Sequence, residues 1–481
     1  MLEVPEELAR RFRRGDALVY AEAADELLLV PSAERAIAGR AVDTALGALG
    51  QMRAVEAAQV DAFYNGFARR LESDATWSLI AAANALDVDD ARSRGRSTTR
   101  LVASEGLRRG MIDGLRTWAG LPVWRGRVLE TVEHAGWAVD LVAAELGVVG
   151  FVFEGRPNVL ADATGVLKGG NTVVFRIGRD ALRTATAIMQ AALTPALAEA
   201  GLPEGAVCLL GSSEHAAGWA LFGDRRLSLA VARGSGRAVA VLGSLARQAG
   251  VPVSLHGTGG AWLVASRRAA AEDLERVVTA SLDRKVCNTL NVCCILGSEA
   301  PRLVPAFLRG LKLSGERRGQ AFKLHVAGAA RPEALSALPV SVRELFEKRV
   351  TVVRAEGPVE EFQAEWLDDA ALGREWEWEE TPEVTLKLVD DLDQAIALCN
   401  AHSPKLVACL LSPDPAEQAR FFNQVDAPFI GDDYTRWVDG QLALRRPELG
   451  LSNWEHGRLL ARGGVLSGDS IYTIRTRARQ T

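Results

Sequence analysis

From residue 147 onward the chain alternates short apolar runs with helix-sized segments, and this alternation limits the possible folds more than any other feature. Runs at 148–153, 172–175, 206–210, 229–232 and 253–255 are each followed by a stretch long enough for a helix. Such alternation builds βαβ units and a mostly parallel sheet, so it predicts a doubly wound, nucleotide-binding lobe. Glycines at 169–170, 201, 211, 234, 236 and 259–260 fall between the runs. Sharp turns there require a residue without Cβ. A second alternation follows residue 287, with strand candidates at 289–296, 322–326, 350–353, 384–389, 407–411 and 429–431. It predicts a second α/β lobe.

The segment 36–122 carries apolar residues at three- and four-residue spacing, as in Ala57, Val60, Phe63, Phe67 and Leu71. That spacing predicts helices, with the aromatic members as core contacts. Residues 25–31 read as an edge strand or a loop, and the Ser470-Ile-Tyr-Thr-Ile-Arg475 stretch as a strand added to a neighbouring subunit's sheet. The predicted fold is α/β: two doubly wound lobes plus a small oligomerisation β-element. Residues 1–35 form an N-terminal extension and 36–283 a cofactor-binding lobe, with 125–145 a candidate oligomerisation hairpin. Residues 284–437 form a catalytic lobe, and 438–481 return to the first lobe and supply an oligomerisation tail. A homodimer or homotetramer is expected.

Composition narrows the function by exclusion. A net charge of -5, with arginines scattered among carboxylates, offers no nucleic-acid footprint. The start Met1-Leu-Glu-Val-Pro-Glu-Glu7 lacks the basic and apolar regions of an export signal, and the apolar runs are too short to span a bilayer. A cytoplasmic protein is expected. The 6 cysteines show no CxxC pair, which favours free thiols over disulfides, and no metal site is expected. Cys287 stands apart in the polar sequence Asp283-Arg-Lys-Val-Cys-Asn-Thr-Leu-Asn291, between a helical segment and an apolar strand. Arg284 or Lys285 could favour its thiolate. Cys293 and Cys294, inside an apolar run, read as buried strand residues.

The motifs Gly147-Val-Val-Gly150, Glu154-Gly-Arg-Pro-Asn-Val159 and Gly170-Asn-Thr-Val-Val-Phe-Arg176 occur in that order. They are followed by Ala200-Gly-Leu-Pro203, Arg233-Gly-Ser-Gly236, Val251-Pro-Val253, Val286-Cys-Asn288, Thr435-Arg436, Asp439-Gly440 and Ala461-Arg-Gly463. The chain thereby resembles the gamma-glutamyl phosphate reductases, or glutamate-5-semialdehyde dehydrogenases, of the aldehyde dehydrogenase superfamily. The resemblance implies that Cys287 carries the acyl group of a small-molecule substrate as a thioester, which hydride from NADP, with NAD as the alternative, reduces to an aldehyde. It implies an oxyanion hole from the Asn158 side chain and the Cys287 N–H; Asn158 as a turn residue after Pro157 is the plainer alternative. Arg176 would meet the cofactor's ribose or 2′-phosphate, or be a structural arginine. The Gly234-Ser235-Gly236 turn would receive a phosphate. Arg156, Asn288 and Arg436 would recognise substrate, with a bridge from Arg436 to Asp432 or Asp433 as the alternative.

Hydrolytic relatives carry a water-activating glutamate where this chain has His256-Gly-Thr-Gly-Gly260. Without a carboxylate there, transfer to phosphate or a thiol is favoured over hydrolysis. Departures from the reductase pattern include Gly155 for serine and Asp283-Arg-Lys285 before Val-Cys-Asn. They leave two further readings open, a CoA-acylating aldehyde dehydrogenase and a catalytically silent binding subunit.

Overall fold

The computed structural model describes residues 4–96, 98, 101–153, 155–328, 335, 338–354, 357–438, 443–447, 450–451 and 465–481. The chain divides into two compact units: Met1–Gly257 with Leu444–Leu451 and Leu460–Thr481, and Thr258–Ala443 with Ser452–Leu459.

In the first unit, β1 (Ala17–Ala21) and β2 (Glu26–Val30) pair antiparallel, which resolves the 25–31 segment as a strand. Four helices follow: Ser32–Met52, Ala57–Glu72, Asp74–Ser93 and Glu105–Gly120. Ser73 and Ser104 accept from the amides of Thr76 and Leu107, satisfying N-terminal donors of the last two. Val60, Phe63, Phe67 and Leu71 all face the core, as their spacing predicts. Lys168 has a fully buried side chain that donates to Asp61 and, at 2.6 Å, to the Leu121 carbonyl. It ties helix Ala57–Glu72 to the end of helix Glu105–Gly120. The hairpin expected within 125–145 is present as β3 (Val128–His134) and β4 (Trp137–Ala144).

The central sheet contains β5 (Val148–Phe153), β6 (Thr172–Ile177), β7 (Val207–Leu209), β8 (Leu229–Arg233) and β9 (Val253–His256), all parallel in the order β7-β6-β5-β8-β9. Both faces are buried, and the period of two decides which residue goes where. Val149, Phe151, Val173, Phe175 and Val231 meet the core shared with helix Ala57–Glu72. Val148, Val152, Val174, Ala230 and Ala232 meet the core shared with helices Ser32–Met52, His215–Phe222 and Gly236–Gln248.

The second unit holds β10 (Ala261–Ala265), β11 (Leu290–Leu296), β12 (Lys323–Ala327), β13 (Arg349–Arg354), β14 (Gly357–Phe362), β15 (Ala364–Leu367), β16 (Glu383–Val389), β17 (Val407–Leu411) and β18 (Phe429–Gly431). Seven of these form a parallel sheet in the order β15-β12-β16-β11-β10-β17-β18. Two expectations are corrected here. The run at 350–353 is a strand, but β13 pairs antiparallel with β14 outside that sheet. The lobe boundary falls after Gly257 rather than after residue 283, because β10 lies between β11 and β17 in the middle of the second sheet.

The chain then returns to the first unit from Leu444, where β19 (Gly450–Leu451) and β20 (Val465–Leu466) pair. The tail strand is β21 (Thr473–Gln480), and it pairs with β4 of this same chain, Thr473 opposite Ala144 and Gln480 opposite Trp137. The tail strand thus joins the hairpin of its own chain, at the edge of a sheet in the order β21-β4-β3. Glu154, Asp439-Gly440 and Ala461-Arg-Gly463 lie outside the described residues. No helix among the described residues is long and apolar enough to cross a membrane.

Candidate active site

The order β7-β6-β5-β8-β9 reverses direction between β5 and β8, and open α/β sheets bind ligands outside the carboxyl ends of the strands at that point. Arg156 and Asn158 follow β5, and the Gly234-Ser235-Gly236 turn follows β8, so both groups stand at the switch. The Gly234 amide donates to the His256 carbonyl at 3.1 Å. A Cβ on Gly257 would sit 3.2 Å from the Gly236 Cα, a close approach that explains glycines on both sides. Helix Gly236–Gln248 begins here, and a helix N-terminus turns backbone amides toward an anion.

Arg176 enters from the end of β6 and is only 5% exposed. Its Nη2 donates to the Ser213 carbonyl at 2.9 Å, while its Nε and the Glu34 Oε2 are buried without a hydrogen-bond partner among the described residues. Burial pushes this guanidinium below the usual arginine range, and Glu214 and Glu34 pull it back up. An unpaired donor and acceptor near one another, at the carboxyl edge of this sheet, fit the hydroxyls of a nucleotide ribose. Asn158 opens helix Val159–Ala163 and donates to Asp162 Oδ2 at 2.9 Å, which orients its amide and leaves its second N–H.

In the second unit Cys287 lies in the 282–289 loop, between helix Ala271–Ser281 and β11, half-buried. The loop touches the amino end of the sheet. Its Cys287 carbonyl accepts from the Gly260 amide at 2.7 Å, and the Thr289 carbonyl from Ala261 at 2.9 Å, extending the β10–β11 pairing backward. A Cβ on Gly259 would lie 2.7 Å from both the Cα and the carbonyl oxygen of Cys287. Only glycine permits that approach.

Asn288 and Arg436, both expected to recognise substrate, come together. Asn288 is 2% exposed; its amide donates to the Val438 carbonyl and its oxygen accepts from Arg436. Arg436 also pairs with Asp283 at 2.7 Å, and Thr435 Oγ1 donates to the Asn288 carbonyl at 2.8 Å. Both side chains help to hold the loop. Asp433, a candidate partner of Arg436, pairs instead with Arg276 at 2.9 Å.

One residue escaped the reading of the sequence. Glu375 accepts from the Gly259 amide at 2.5 Å and pairs with Lys285, whose side chain is 7% exposed. A carboxylate therefore does stand beside these glycines, its two oxygens engaged by an amide and an ammonium. Lys285, expected to favour the thiolate, is held by this pair. The signal lay in Arg374-Glu-Trp-Glu-Trp-Glu-Glu380, an alternation that reads as a solvated acidic run.

The aldehyde dehydrogenase family profile matches residues 158–298, a span that contains Asn158, Arg176, the 234–236 turn and Cys287. A gamma-glutamyl phosphate reductase from Escherichia coli is 30% identical over 379 residues, covering 77% of this chain and 82% of the relative. The chain belongs to the gamma-glutamyl phosphate reductase family. It is accordingly an oxidoreductase of the aldehyde dehydrogenase type. The crystal structure of gamma-glutamyl phosphate reductase from Thermotoga maritima superposes with a TM-score of 0.75 at 21% identity, covering 92% of this chain and 98% of that one. A propionaldehyde dehydrogenase from Rhodopseudomonas palustris, solved with bound CoA and an acylated cysteine, shares the fold with a TM-score of 0.63 at 14% identity, over 92% and 97% of the two chains.

Proposed function

We propose that this gamma-glutamyl phosphate reductase family member reduces an activated acyl group to an aldehyde, with gamma-glutamyl phosphate as the first substrate to try and Cys287 as the covalent carrier. The observation that carries this reading is the setting of Cys287: a half-buried thiol in a loop pinned by two glycines, inside the span matched by the aldehyde dehydrogenase family. The Cys287 sulfur, as thiolate, adds to the acyl carbonyl, and the C–O bond to phosphate breaks to leave a thioester. The second N–H of Asn158 and the backbone N–H of Cys287 are the proposed oxyanion donors. A nicotinamide cofactor held by the switch-point turn and Arg176 would supply the hydride for reducing the thioester to the aldehyde, with Cys287 leaving as thiolate. Glu375, with both oxygens engaged, is poorly placed to deprotonate water, which supports transfer over hydrolysis.

The switch-point turn and Arg176 are the proposed cofactor contacts. Arg176 favours the 2′-phosphate of NADP, whereas Glu34 and Glu214 beside it favour the 2′-hydroxyl of NAD; KM values for the two reduced cofactors separate these readings. We also propose a homodimer or homotetramer. β3 is exposed along its whole length and β21 along nearly all of it, and such sheet edges are usually covered. The free cysteines fit a reducing, cytoplasmic setting.

The test is loss of reduced-cofactor absorbance with gamma-glutamyl phosphate generated in the cuvette, beside an acyl-CoA. Turnover with the acyl phosphate supports the proposal. Turnover with acyl-CoA alone removes it in favour of the CoA-acylating reading, and none with either donor favours a silent subunit.

A further inference from the structure

The Cys287 loop is held from two sides. Asn288, Thr435 and Arg436 fasten it after the cysteine, and Arg436 also pairs with Asp283 before it; a further fastening before the cysteine passes through Glu375. The carboxylate of Glu375 reaches Lys285, two residues before the thiol, with one oxygen, and the Gly259 amide with the other at 2.5 Å. A single point, the position of a Cβ on Gly259, lies 2.7 Å from both Glu375 Oε1 and the Cys287 Cα, so these two atoms are separated by no more than twice that distance. Glu375 itself cannot drift. Asn291 of β11 clamps its neighbours, donating to the Arg374 carbonyl at 2.8 Å and accepting from the Trp376 amide at 2.9 Å. The Trp376 indole donates to Thr385 Oγ1 at 2.8 Å and stacks on His325 with ring centroids 3.6 Å apart.

We propose that Glu375 is a positioning residue for the nucleophile: its carboxylate bridges Lys285 and the Gly259 amide, fixing the height of the Cys287 loop and cancelling the Lys285 charge beside the thiol. This rests on the reading of Cys287 as the acyl carrier. Other charged groups also meet the loop among the described residues, and Arg318 donates to its Asp283 carbonyl. Asp283 pairs with Arg436, Arg284 is exposed, and Glu377 stands 3.7 Å from Lys285 at the surface. Glu375 and Lys285, 15% and 7% exposed, are therefore the pair whose charges the thiol feels with the least water between.

The experiment measures the pH dependence of Cys287 alkylation by iodoacetamide in the full chain, for wild type, Glu375→Gln and Lys285→Met. Removing the carboxylate takes away the negative charge nearest Lys285, so the Glu375→Gln midpoint should fall by about one pH unit; removing the ammonium leaves Glu375, so the Lys285→Met midpoint should rise. In acyl reduction Glu375→Gln should lower kcat about tenfold with KM for the reduced cofactor unchanged. Midpoints that stay at the wild-type value, or move in the same direction in both variants, overturn the proposal. If Glu375→Gln does not fold, Lys285→Met decides alone: a raised midpoint supports the bridge and an unchanged one removes it. Alkylation needs no substrate, so absence of turnover in the wild type would count against the proposed function without touching this result.

Discussion

Burial pushes the Cys208 thiol up to about 11 and those of Cys399 and Cys409 to about 12, while Cys293 and Cys294 rise further inside β11. A thiol at about 11 is ionised in roughly one molecule in a thousand at pH 8. Under native conditions at that pH, peptide mapping after brief iodoacetamide treatment should find Cys287 modified first and Cys208 at least tenfold more slowly, with the buried four protected until unfolding. Equal labelling of Cys287 and Cys208 would contradict the picture of one accessible nucleophile. Cys287 could be singled out from its polar neighbours and the matching motif, because both are local in sequence. The tasks of Asn288, Arg436 and Glu375 could not. Each depends on a partner far along the chain, such as Val438 for Asn288 or Gly259 for Glu375, and a side chain's chemical type does not name the group it will meet.

At the scale of elements, the strands that follow an apolar run flanked by turn residues were legible to within a residue or two. β10 was not, since Ala-Trp-Leu-Val-Ala begins directly at the glycine pair and its place in the second sheet is a matter of tertiary pairing. The antiparallel partner of β13 and the internal partner of β21 escaped for the same reason: alternation predicts a strand but not its neighbour. The β21–β4 pairing has a charged pin. Asp140 on β4 is 2% exposed and accepts from Thr131 Oγ1 at 2.9 Å, Arg477 Nη2 at 2.8 Å and Arg479 Nε at 3.3 Å. The Arg477 bond leads in holding this carboxyl below the usual range. Because the folded value is depressed, its contribution is complete above the unfolded value near 4 and is lost as pH falls through the folded one. Hydrogen-exchange protection of Thr473–Gln480, corrected for intrinsic rates, should be flat from pH 8 to 5 and fall below about 4. Asp140→Ala should lose it already at pH 7 and speed tryptic cleavage after Arg477. Unchanged protection in that variant would show that backbone pairing alone holds the strand.

For the molecule as a whole, two doubly wound units follow one another in the chain, and each supplies different parts of the proposed reaction. The first carries the switch-point turn, Arg176 and Asn158; the second carries Cys287 and the side chains that hold its loop. The two-lobe plan was readable because alternating apolar runs occur twice, while the junction at Gly257 was not, because a turn between strands of different sheets resembles a turn within one. The central claim is that the acyl group passes through Cys287, and trapping that intermediate tests it most directly. The full chain is mixed with an acyl phosphate in the absence of cofactor, quenched in acid and mapped by peptide mass. The acyl mass should appear on Cys287, be absent in Cys287→Ala, and disappear on addition of reduced cofactor with one aldehyde released per adduct. An adduct on another residue, or reduced-cofactor consumption that persists in Cys287→Ala, would contradict it.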